Sequence, residues 1–201
     1  MKVLAATTNR GKLAEIRRIL TPAGIEVVSP WENLEVRETG TTFLENAYLK
    51  AEAYYRRFGL PALADDSGLV VDALEGYPGV FSSRFYALTF GGREEVTGSP
   101  DEANVRKLLR LMEGKRNRSA RFVAYVVLYT GTGGFFAHGE CAGTLTEKPR
   151  GKGGFGYDPV FQPIGYTKTM AELPPQEKDR ISHRGLALRR LLQIIRNCKQ
   201  L

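Results

Sequence analysis

Residues Gly151 to Phe161 read GKGGFGYDPVF and combine backbone freedom, aromatic rings, a carboxylate and a rigid exit in one short stretch. The glycines let the main chain reach positive φ angles and approach a ligand closely. Pro159 fixes the backbone where the chain enters an apolar pair. Phe155 and Tyr157 offer planar faces, and Asp158 offers a carboxylate to a base or a cation. The pattern indicates a ligand-binding loop, and a glycine-rich hairpin with core aromatics is the alternative.

Upstream of this loop, two adjacent carboxylates interrupt an apolar stretch. Asp65 and Asp66 follow the apolar residues Ala62 to Ala64, and Leu69 to Val71 resume the apolar sequence. Adjacent carboxylates repel each other, so they require a cation, hydrogen bonds or solvent nearby. In extended backbone their side chains would point to opposite faces, so that one could bind Mg²⁺ while the other braces the loop. A solvated Asp-Asp turn between two strands is the alternative.

The N-terminal segment predicts a strand, a polar loop and a helix. Lys2 to Ala6 form the apolar strand, and the helix has an apolar face made of Leu13, Ile16, Ile19 and Leu20. The loop between them is TTNRGK, from Thr7 to Lys12. Backbone N–H groups at a helix start attract anions, and the lysine adds a positive charge. The loop therefore suits phosphate, although it lacks the P-loop pattern and would serve equally as a capped turn.

A capping box predicts where the second helix begins. Thr42 and Glu45 have the required spacing, and the helix should run to about Phe58, with Gly59 closing it. Its inward face should consist of Ala47, Ala51, Tyr54 and Phe58. Glu45 thus has a structural role. Glu38 lies before this helix in a glycine-containing turn where the sequence gives it no structural role, so it is a candidate metal ligand.

The second half of the chain predicts two paired strands between two helices. Ser99 to Glu102 read SPDE, which is typical of a helix start, and the helix should reach about Met112. Ala120 to Tyr129 is nearly all apolar and predicts a central strand, with Phe135 to Thr144 pairing beside it. Ser182 is the predicted cap of a last helix, whose buried face is Ala187, Leu188, Leu191, Leu192 and Ile195.

Composition limits the possible classes of protein. With 201 residues, 42% hydrophobic and 25% charged, the chain predicts a single domain over residues 1–201. Its net charge of +7 favours an anionic partner, but the basic residues are spread along the chain and do not form the stripe of a nucleic-acid binder. No apolar run approaches the ~20 residues of a membrane span. Two distant cysteines do not make a disulfide framework, so a reducing cytoplasmic location is expected.

Six motifs occur in order along almost the whole chain. They are TTNRGK at Thr7 to Lys12, ETGTTFLENA at Glu38 to Ala47, ADDSGL at Ala64 to Leu69, PGVFSSRF at Pro78 to Phe85, GGFGYDPVF at Gly153 to Phe161 and ISHRGLAL at Ile181 to Leu188. In this combination the chain resembles the inosine triphosphate pyrophosphatase family, whose members act on non-standard purine nucleotides.

The resemblance implies an elongated α/β fold of two lobes around a long mixed β-sheet, with flanking helices and a central substrate cleft. It implies a homodimer that uses Mg²⁺ to hydrolyse dITP, ITP and XTP to the monophosphate and pyrophosphate. No nucleic-acid or membrane partner is expected from the composition. Asp66 would be the catalytic proton acceptor, and Glu38 and Asp66 would hold the metal. The residues in contact with substrate would be Thr7, Thr8, Asn9, Arg10, Gly11, Lys12, Ser67, Phe155, Gly156, Tyr157, Asp158, Lys178, His183 and Arg184.

Two other functions are compatible with parts of this pattern. A non-catalytic nucleotide- or RNA-binding protein would use the basic surface, with Phe155 and Tyr157 as stacking platforms. Glu38 and the Asp65-Asp66 pair argue against it, because carboxylates beside a polyanion are unfavourable without a metal. A pyrophosphatase for modified pyrimidine nucleotides would keep the chemistry and change the base.

Overall fold

The computed structural model of the protein describes residues 1–198, in which five α-helices accompany six β-strands. The strands are Lys2–Ala5 (β1), Glu26–Val28 (β2), Ala62–Val71 (β3), Ser119–Tyr129 (β4), Gly134–Leu145 (β5) and Phe161–Pro163 (β6). The helices are Arg10–Leu20 (α1), Phe43–Phe58 (α2), Pro100–Leu111 (α3), Pro175–Ile181 (α4) and His183–Cys198 (α5). Short 3₁₀ turns include Gly79–Ala87, Asp158–Val160 and Met170–Glu172.

The strands form one mixed sheet in the order β2-β1-β3-β4-β5-β6. β1 runs parallel to both neighbours, with Leu4 opposite Val28 on one side and Ala62 on the other. At the far edge β5 and β6 are antiparallel. Parallel neighbours require crossover connections, and α1 and α2 provide them along the chain. The predicted α/β class with a mixed sheet and flanking helices is confirmed.

The residues group into two compact units, each built from separate stretches of the chain. The first unit comprises Met1–Ser67, Ala124–Glu140 and residues 179–198, and the second comprises Gly68–Val123 and Cys141–Lys178. The boundaries fall inside β3, β4 and β5, so these three strands each contribute to both units.

In the first unit the helices cover both faces of the sheet. Side chains alternate along a strand, so neighbouring residues reach opposite faces. Val3 and Leu63 accordingly belong to a core cluster with residues of α1 and α5, whereas Leu4 and Ala62 belong to a second cluster with residues of α2. The predicted buried positions are confirmed for α1 at Ile16 and Leu20, for α2 at Ala47, Ala51 and Tyr54, and for α5 at Ala187, Leu188, Leu191, Leu192 and Ile195.

Capping residues place the helix ends where the sequence predicts them. Thr42 and Glu45 form a complete capping box at the start of α2, and Gly59 ends this helix in the left-handed conformation. Ser99 and Glu102 form a second capping box on α3. Ser182 precedes α5, and its Oγ accepts a hydrogen bond from the Gly185 N–H at 3.1 Å.

Buried polar residues of α3 fix a neighbouring segment of the second unit. The Asn104 side chain accepts from the Tyr86 N–H at 2.8 Å and donates to the Ser83 carbonyl at 3.1 Å. Lys107, whose side chain is fully buried, donates to the carbonyls of Phe85 at 2.9 Å and Leu88 at 2.7 Å. These bonds satisfy backbone groups of the irregular segment after Gly79 and join it firmly to α3.

Two parts of the predicted secondary structure are wrong. β3 is continuous from Ala62 to Val71, so the adjacent carboxylates lie inside one strand and not in a turn between two. α4, with the sequence PQEKDRI, was not predicted, because seven mostly polar residues carry no apolar periodicity. No helix within residues 1–198 has the length and apolar character required to span a membrane.

Candidate active site

Asp65 and Asp66 are both buried in β3, with only 3% and 6% of their surface exposed. The interpretation of this pair as a solvated turn is therefore wrong. Their side chains have different hydrogen-bonding and ion-pair partners, as the alternation of a strand requires. Asp65 interacts with Lys12 and Arg184, whereas Asp66 interacts with Lys50.

Asp65 is the centre of a buried ion cluster. The Arg184 Nε donates to Asp65 Oδ2 at 3.0 Å, and its other nitrogens donate to Glu15 and, at 2.9 Å, to Ser67 Oγ. Lys12 Nζ lies 3.3 Å from the same Asp65 oxygen. Burial raises the pKa of Asp65, but the nearby Arg184 and Lys12 charges outweigh it and hold this pKa well below its usual range. Asp65 is therefore ionised at neutral pH and orients the surrounding cations.

The sequence did not reveal the role of Glu15. This residue of α1 is only 3% exposed. A charged residue that does not belong to the predicted apolar face of this helix is expected to face solvent. Its carboxylate pairs with Arg184, whose pKa is lowered by burial but raised more strongly by Asp65 and Glu15. The guanidinium is thus held by two anions of the protein itself. Contact of Arg184 with a substrate remains a prediction.

Lys50 links the two carboxylates that were predicted to bind a metal. Its Nζ lies 2.8 Å from Glu38 Oε1 and 3.2 Å from Asp66 Oδ1. The prediction that Glu38 has no structural role is therefore wrong, because the lysine holds it. Burial lowers the pKa of Lys50, but the carboxylates of Asp66, Asp65 and Glu38 outweigh this effect, so that the pKa is raised above its usual value. A sequence signal existed, because Lys50 is spaced three residues after Ala47 and so lies on the inward face of α2.

Asp66 keeps one oxygen that could contact another group. Within residues 1–198, its buried Oδ2 has no hydrogen-bond partner, although Oδ1 is bound by Lys50. Burial raises the pKa of Asp66 and the charge of Lys50 opposes this, with a net increase. The same described range contains no cluster of three or more side chains suited to metal binding. A cation bound by Asp66 and Glu38 would need further oxygens from a ligand or from water.

The predicted phosphate loop is an ordered helix start. Asn9 caps α1, because its Oδ1 accepts from the Lys12 N–H at 3.0 Å. The Asn9 N–H in turn donates to Thr7 Oγ1 at 3.1 Å. Thr8 and Arg10 are exposed, and Gly11 is partly buried. The loop is thus a capped turn, as one interpretation predicted, and binding of phosphate there remains a prediction.

His183 and Arg184 occupy the first turn of α5, as predicted, and both are buried. Gly185 follows them and lies against the end of α4. A Cβ atom added at Gly185 would stand only 1.8 Å from the Asp179 carbonyl oxygen. Arg18 fixes Asp179 from α1 through two hydrogen bonds of 2.6 and 2.9 Å. The direction of the His183-Arg184 turn therefore depends on a position where only glycine fits.

In the second unit, a carboxylate organises the glycine-rich loop. Asp158 Oδ2 accepts from the Phe155 N–H at 2.9 Å and from Lys178 Nζ at 2.6 Å. Lys178 Nζ also lies 4.8 Å from the centroid of the Phe155 ring. Gly154 permits this turn, because it has a φ of +69° and an added Cβ would stand 2.1 Å from Asp158 Oδ2. Asp158, Lys178 and Phe155 are thus brought together.

Tyr157 is not a stacking platform. It is 5% exposed, and its hydroxyl donates to the Ser82 carbonyl at 2.7 Å. Tyr157 is therefore a core residue that fixes the end of the loop, whereas Phe155 is partly exposed. The RNA-binding alternative loses one of its two proposed aromatic surfaces.

A mixed α/β fold with buried carboxylates beside lysine and arginine is the arrangement expected of an enzyme that acts on phosphoric anhydrides. A model of the Ham1 family matches residues 3–194, and the chain belongs to this family.

Relatives support this assignment over the full length of the chain. A dITP/XTP pyrophosphatase of Aquifex aeolicus (strain VF5) is 64% identical, with 100% of this chain and 99% of that protein aligned. A dITP/XTP pyrophosphatase of Hydrogenobaculum sp. (strain Y04AAS1) is 46% identical, with 94% and 95% aligned. The structure of a HAM1 protein from Coxiella burnetii superposes with a TM-score of 0.82 at 38% identity, covering 98% of this chain and 99% of that chain.

Proposed function

We propose that the protein hydrolyses the non-standard purine nucleoside triphosphates dITP, ITP and XTP to the monophosphate and pyrophosphate, with Mg²⁺. The observation that carries this proposal is Asp66, a buried carboxylate in β3 whose Oδ2 has no hydrogen-bond partner within residues 1–198. Both relatives described above carry the name dITP/XTP pyrophosphatase, which supports the same substrates here.

Glu38 and Asp66 are the residues that would hold the metal. Their carboxylate oxygens suit Mg²⁺, which usually takes one or two protein carboxylates and fills its other positions with phosphate oxygens and waters. When bound, Mg²⁺ would neutralise phosphate charge and favour loss of pyrophosphate. Lys50 already contacts both carboxylates, so it would keep them close together before the metal binds.

Asp66 is the proposed general base. A water oxygen attacks the α-phosphorus, the bond from that phosphorus to the bridging oxygen breaks, and pyrophosphate leaves with the bonding electrons. The water proton passes to Asp66 Oδ2. A base is more effective when its pKa lies closer to the working pH, and burial raises the pKa of this carboxyl. Lys12 and the N–H groups at the start of α1 would bind the departing phosphates.

We assign base recognition to Phe155 and Lys178. Phe155 would stack on the ring, while Lys178 would donate to the carbonyl at position 6 of hypoxanthine or xanthine. Contact of His183 and Arg184 with substrate stays a separate prediction. Adenine has an amino group there, so donors would face donors, and such a mismatch can discriminate by as much as ~10⁴-fold. Asp158 Oδ2 is occupied by the Phe155 N–H and Lys178, so its proposed part is to orient Lys178.

A substrate panel tests this function. We expect kcat/KM for ITP, dITP and XTP to exceed that for ATP by about 10²-fold or more, because the 6-carbonyl is recognised by hydrogen bonds. GTP should be disfavoured less sharply, since it shares this carbonyl. Pyrophosphate should be the first product, detected only after inorganic pyrophosphatase is added to a phosphate assay. Equal rates for ATP and ITP, or full activity in EDTA, would refute the proposal.

We also propose that the protein acts as a homodimer, as the family resemblance implies, and in the cytoplasm, as its two distant cysteines indicate. Light scattering coupled to size-exclusion chromatography should give twice the chain mass of 22.3 kDa. A mass equal to one chain at micromolar concentration would exclude the dimer.

A further inference from the structure

A residue of α3 holds the glycine-rich loop through a direct hydrogen bond. Asp101 Oδ2 accepts from the Gly156 N–H at 2.8 Å. The preceding N–H, that of Phe155, is bound by Asp158. Two consecutive backbone N–H groups are thus each bound by a carboxylate, one from within the loop and one from a helix more than fifty residues earlier in the chain.

The helix that carries Asp101 is a firm support. Asp101 lies in the first turn of α3, between the two residues of the capping box, Ser99 and Glu102. Further along the same helix, Asn104 and Lys107 are buried and bind backbone groups of the second unit. The hydrogen bond to Asp101 therefore attaches the loop to a rigid helix. Asp101 is exposed, so it can be replaced without disturbing the core.

Packing does not fill the space between α3 and the loop. A cavity of about 440 Å³ lies there, lined by Asp101, Val105, Phe155, Gly156 and Pro159 together with neighbouring residues. The loop therefore has room to shift toward the helix, and close packing does not prevent this movement. The hydrogen bond from Gly156 to Asp101 restrains the loop at the edge of this cavity.

We propose that Asp101 is a positioning residue for base recognition. By holding the Gly156 peptide, it fixes the ring of Phe155 beside Lys178, whose Nζ lies 4.8 Å from the ring centroid. This inference rests on the proposed function, since Phe155 and Lys178 are assigned there to the base. Asp101 is not among the residues proposed to bind the phosphates, so its loss should raise KM and weaken selectivity while leaving kcat nearly unchanged.

A stabilising effect on α3 is the alternative, because acidic residues in a first turn favour a helix. Glu102 separates the two explanations, since it lies next to Asp101 in the same turn and closes the capping box. Glu102→Ala should lower Tm and leave the KM for ITP within about twofold of the unmodified protein, because it removes a cap but no loop contact.

The test compares Asp101→Ala, Asp101→Asn and Glu102→Ala in the full-length protein. Asp101→Ala should raise the KM for ITP about tenfold and reduce the ITP-to-ATP preference to a similar extent, with kcat within about twofold, because the loop loses its fixed position. Asp101→Asn keeps an oxygen acceptor of the same size and should restore most of the KM. The Gly156 amide proton, followed by NMR, should exchange with solvent about tenfold faster in Asp101→Ala only.

Unchanged KM and unchanged Gly156 exchange in Asp101→Ala would overturn the inference, and so would an equal KM effect in Glu102→Ala. The failure of the proposed function is distinguishable from both. An unmodified protein that does not prefer ITP to ATP refutes the proposed function before any variant is made, and the exchange rate of Gly156 still reports whether Asp101 holds the loop.

Discussion

At the scale of single residues, Lys50 carries the charge that allows Glu38 and Asp66 to lie close together. Replacing it with glutamine should cost about 3 kcal/mol of unfolding free energy, because breaking a buried ion pair leaves the remaining charges uncompensated. Urea denaturation measures this loss. Arg56 on the same helix is the matched control, since its side chain is 75% exposed, against 14% for Lys50.

Arg56→Gln breaks an exposed pair with Glu52 and should change the unfolding free energy by less than about 1 kcal/mol. Similar losses in the two variants would show that the position of Lys50 has no special electrostatic role. Added Mg²⁺ should restore part of the stability lost in Lys50→Gln, because a cation would replace the missing charge.

Asp66→Asn should lower kcat for ITP by about 10²- to 10⁴-fold, because an amide cannot accept the proton from water. The fold should be retained, since the change is nearly isosteric and burial already disfavours the charged form of Asp66. Circular dichroism and Tm check the fold, and steady-state kinetics check the rate. Activity within about twofold of the unmodified protein would remove Asp66 from the mechanism.

Unlike Asp66→Asn, which should retain the fold, Asp65→Asn should destabilise the protein at neutral pH by about 3 kcal/mol. The folded state lowers the pKa of Asp65, so its stabilising contribution is present above the unfolded value of about 4 and is lost as pH falls toward the folded value. The stability difference between Asp65→Asn and the unmodified protein should therefore shrink below about pH 4 in urea titrations. A difference that is independent of pH would contradict it.

At the scale of elements, the start of α5 depends on a close approach to α4. Gly185→Ala would gain about 1 kcal/mol of helix propensity in isolation. The added Cβ would stand 1.8 Å from the Asp179 carbonyl oxygen, which is backbone and cannot rotate away. We expect a net loss of about 2 kcal/mol of unfolding free energy. The KM for ITP should rise, because His183 and Arg184 are displaced.

The control for this variant is Gly133→Ala in the β4–β5 connection, where an added Cβ meets no atom within 4 Å. It should change Tm by only a degree or two, as expected for a surface substitution away from special features. Gly185→Ala that is as stable and active as Gly133→Ala would show that α4 and α5 adapt freely.

Local signals predicted most elements. α2 and α3 begin at capping boxes, and the apolar faces of α1, α2 and α5 follow a helical period. Residues close together in the sequence were therefore sufficient to predict these helices. The continuity of β3 was missed because its carboxylates look like a turn until Lys12, Arg184 and Lys50 are placed beside them. These partners come from distant parts of the chain, and no local pattern contains them.

At the scale of the whole molecule, β3, β4 and β5 each run through both compact units. Unfolding either unit would disrupt three strands of the other, so we expect one cooperative transition in urea. Trp31 is the single tryptophan and belongs to the first unit, so its fluorescence reports that unit, whereas far-UV circular dichroism reports both. The two curves should coincide, and separate midpoints would show independent units.

The candidate site was predictable in its residues more than in their arrangement. The motifs indicated Asp65, Asp66 and Arg184, all of which are buried, and the structure pairs Arg184 with Asp65 but Asp66 with Lys50. Glu15 and Asp101 were missed as site residues because each lies on a helix whose sequence is explained by helix formation alone, whereas the spacing of Lys50 on α2 was a signal that was overlooked. Their roles come from contacts between parts of the chain that are far apart in sequence.

The interleaving of the two units also limits how such a protein can change by recombination. Each unit is assembled from separate stretches, with residues 124–140 of the first unit lying between two stretches of the second. A single crossover between genes of two relatives therefore cannot exchange one unit while leaving the other intact. New base preferences in this family should thus arise through point substitutions around the loop, and libraries for altering its specificity are better built by mutagenesis than by shuffling.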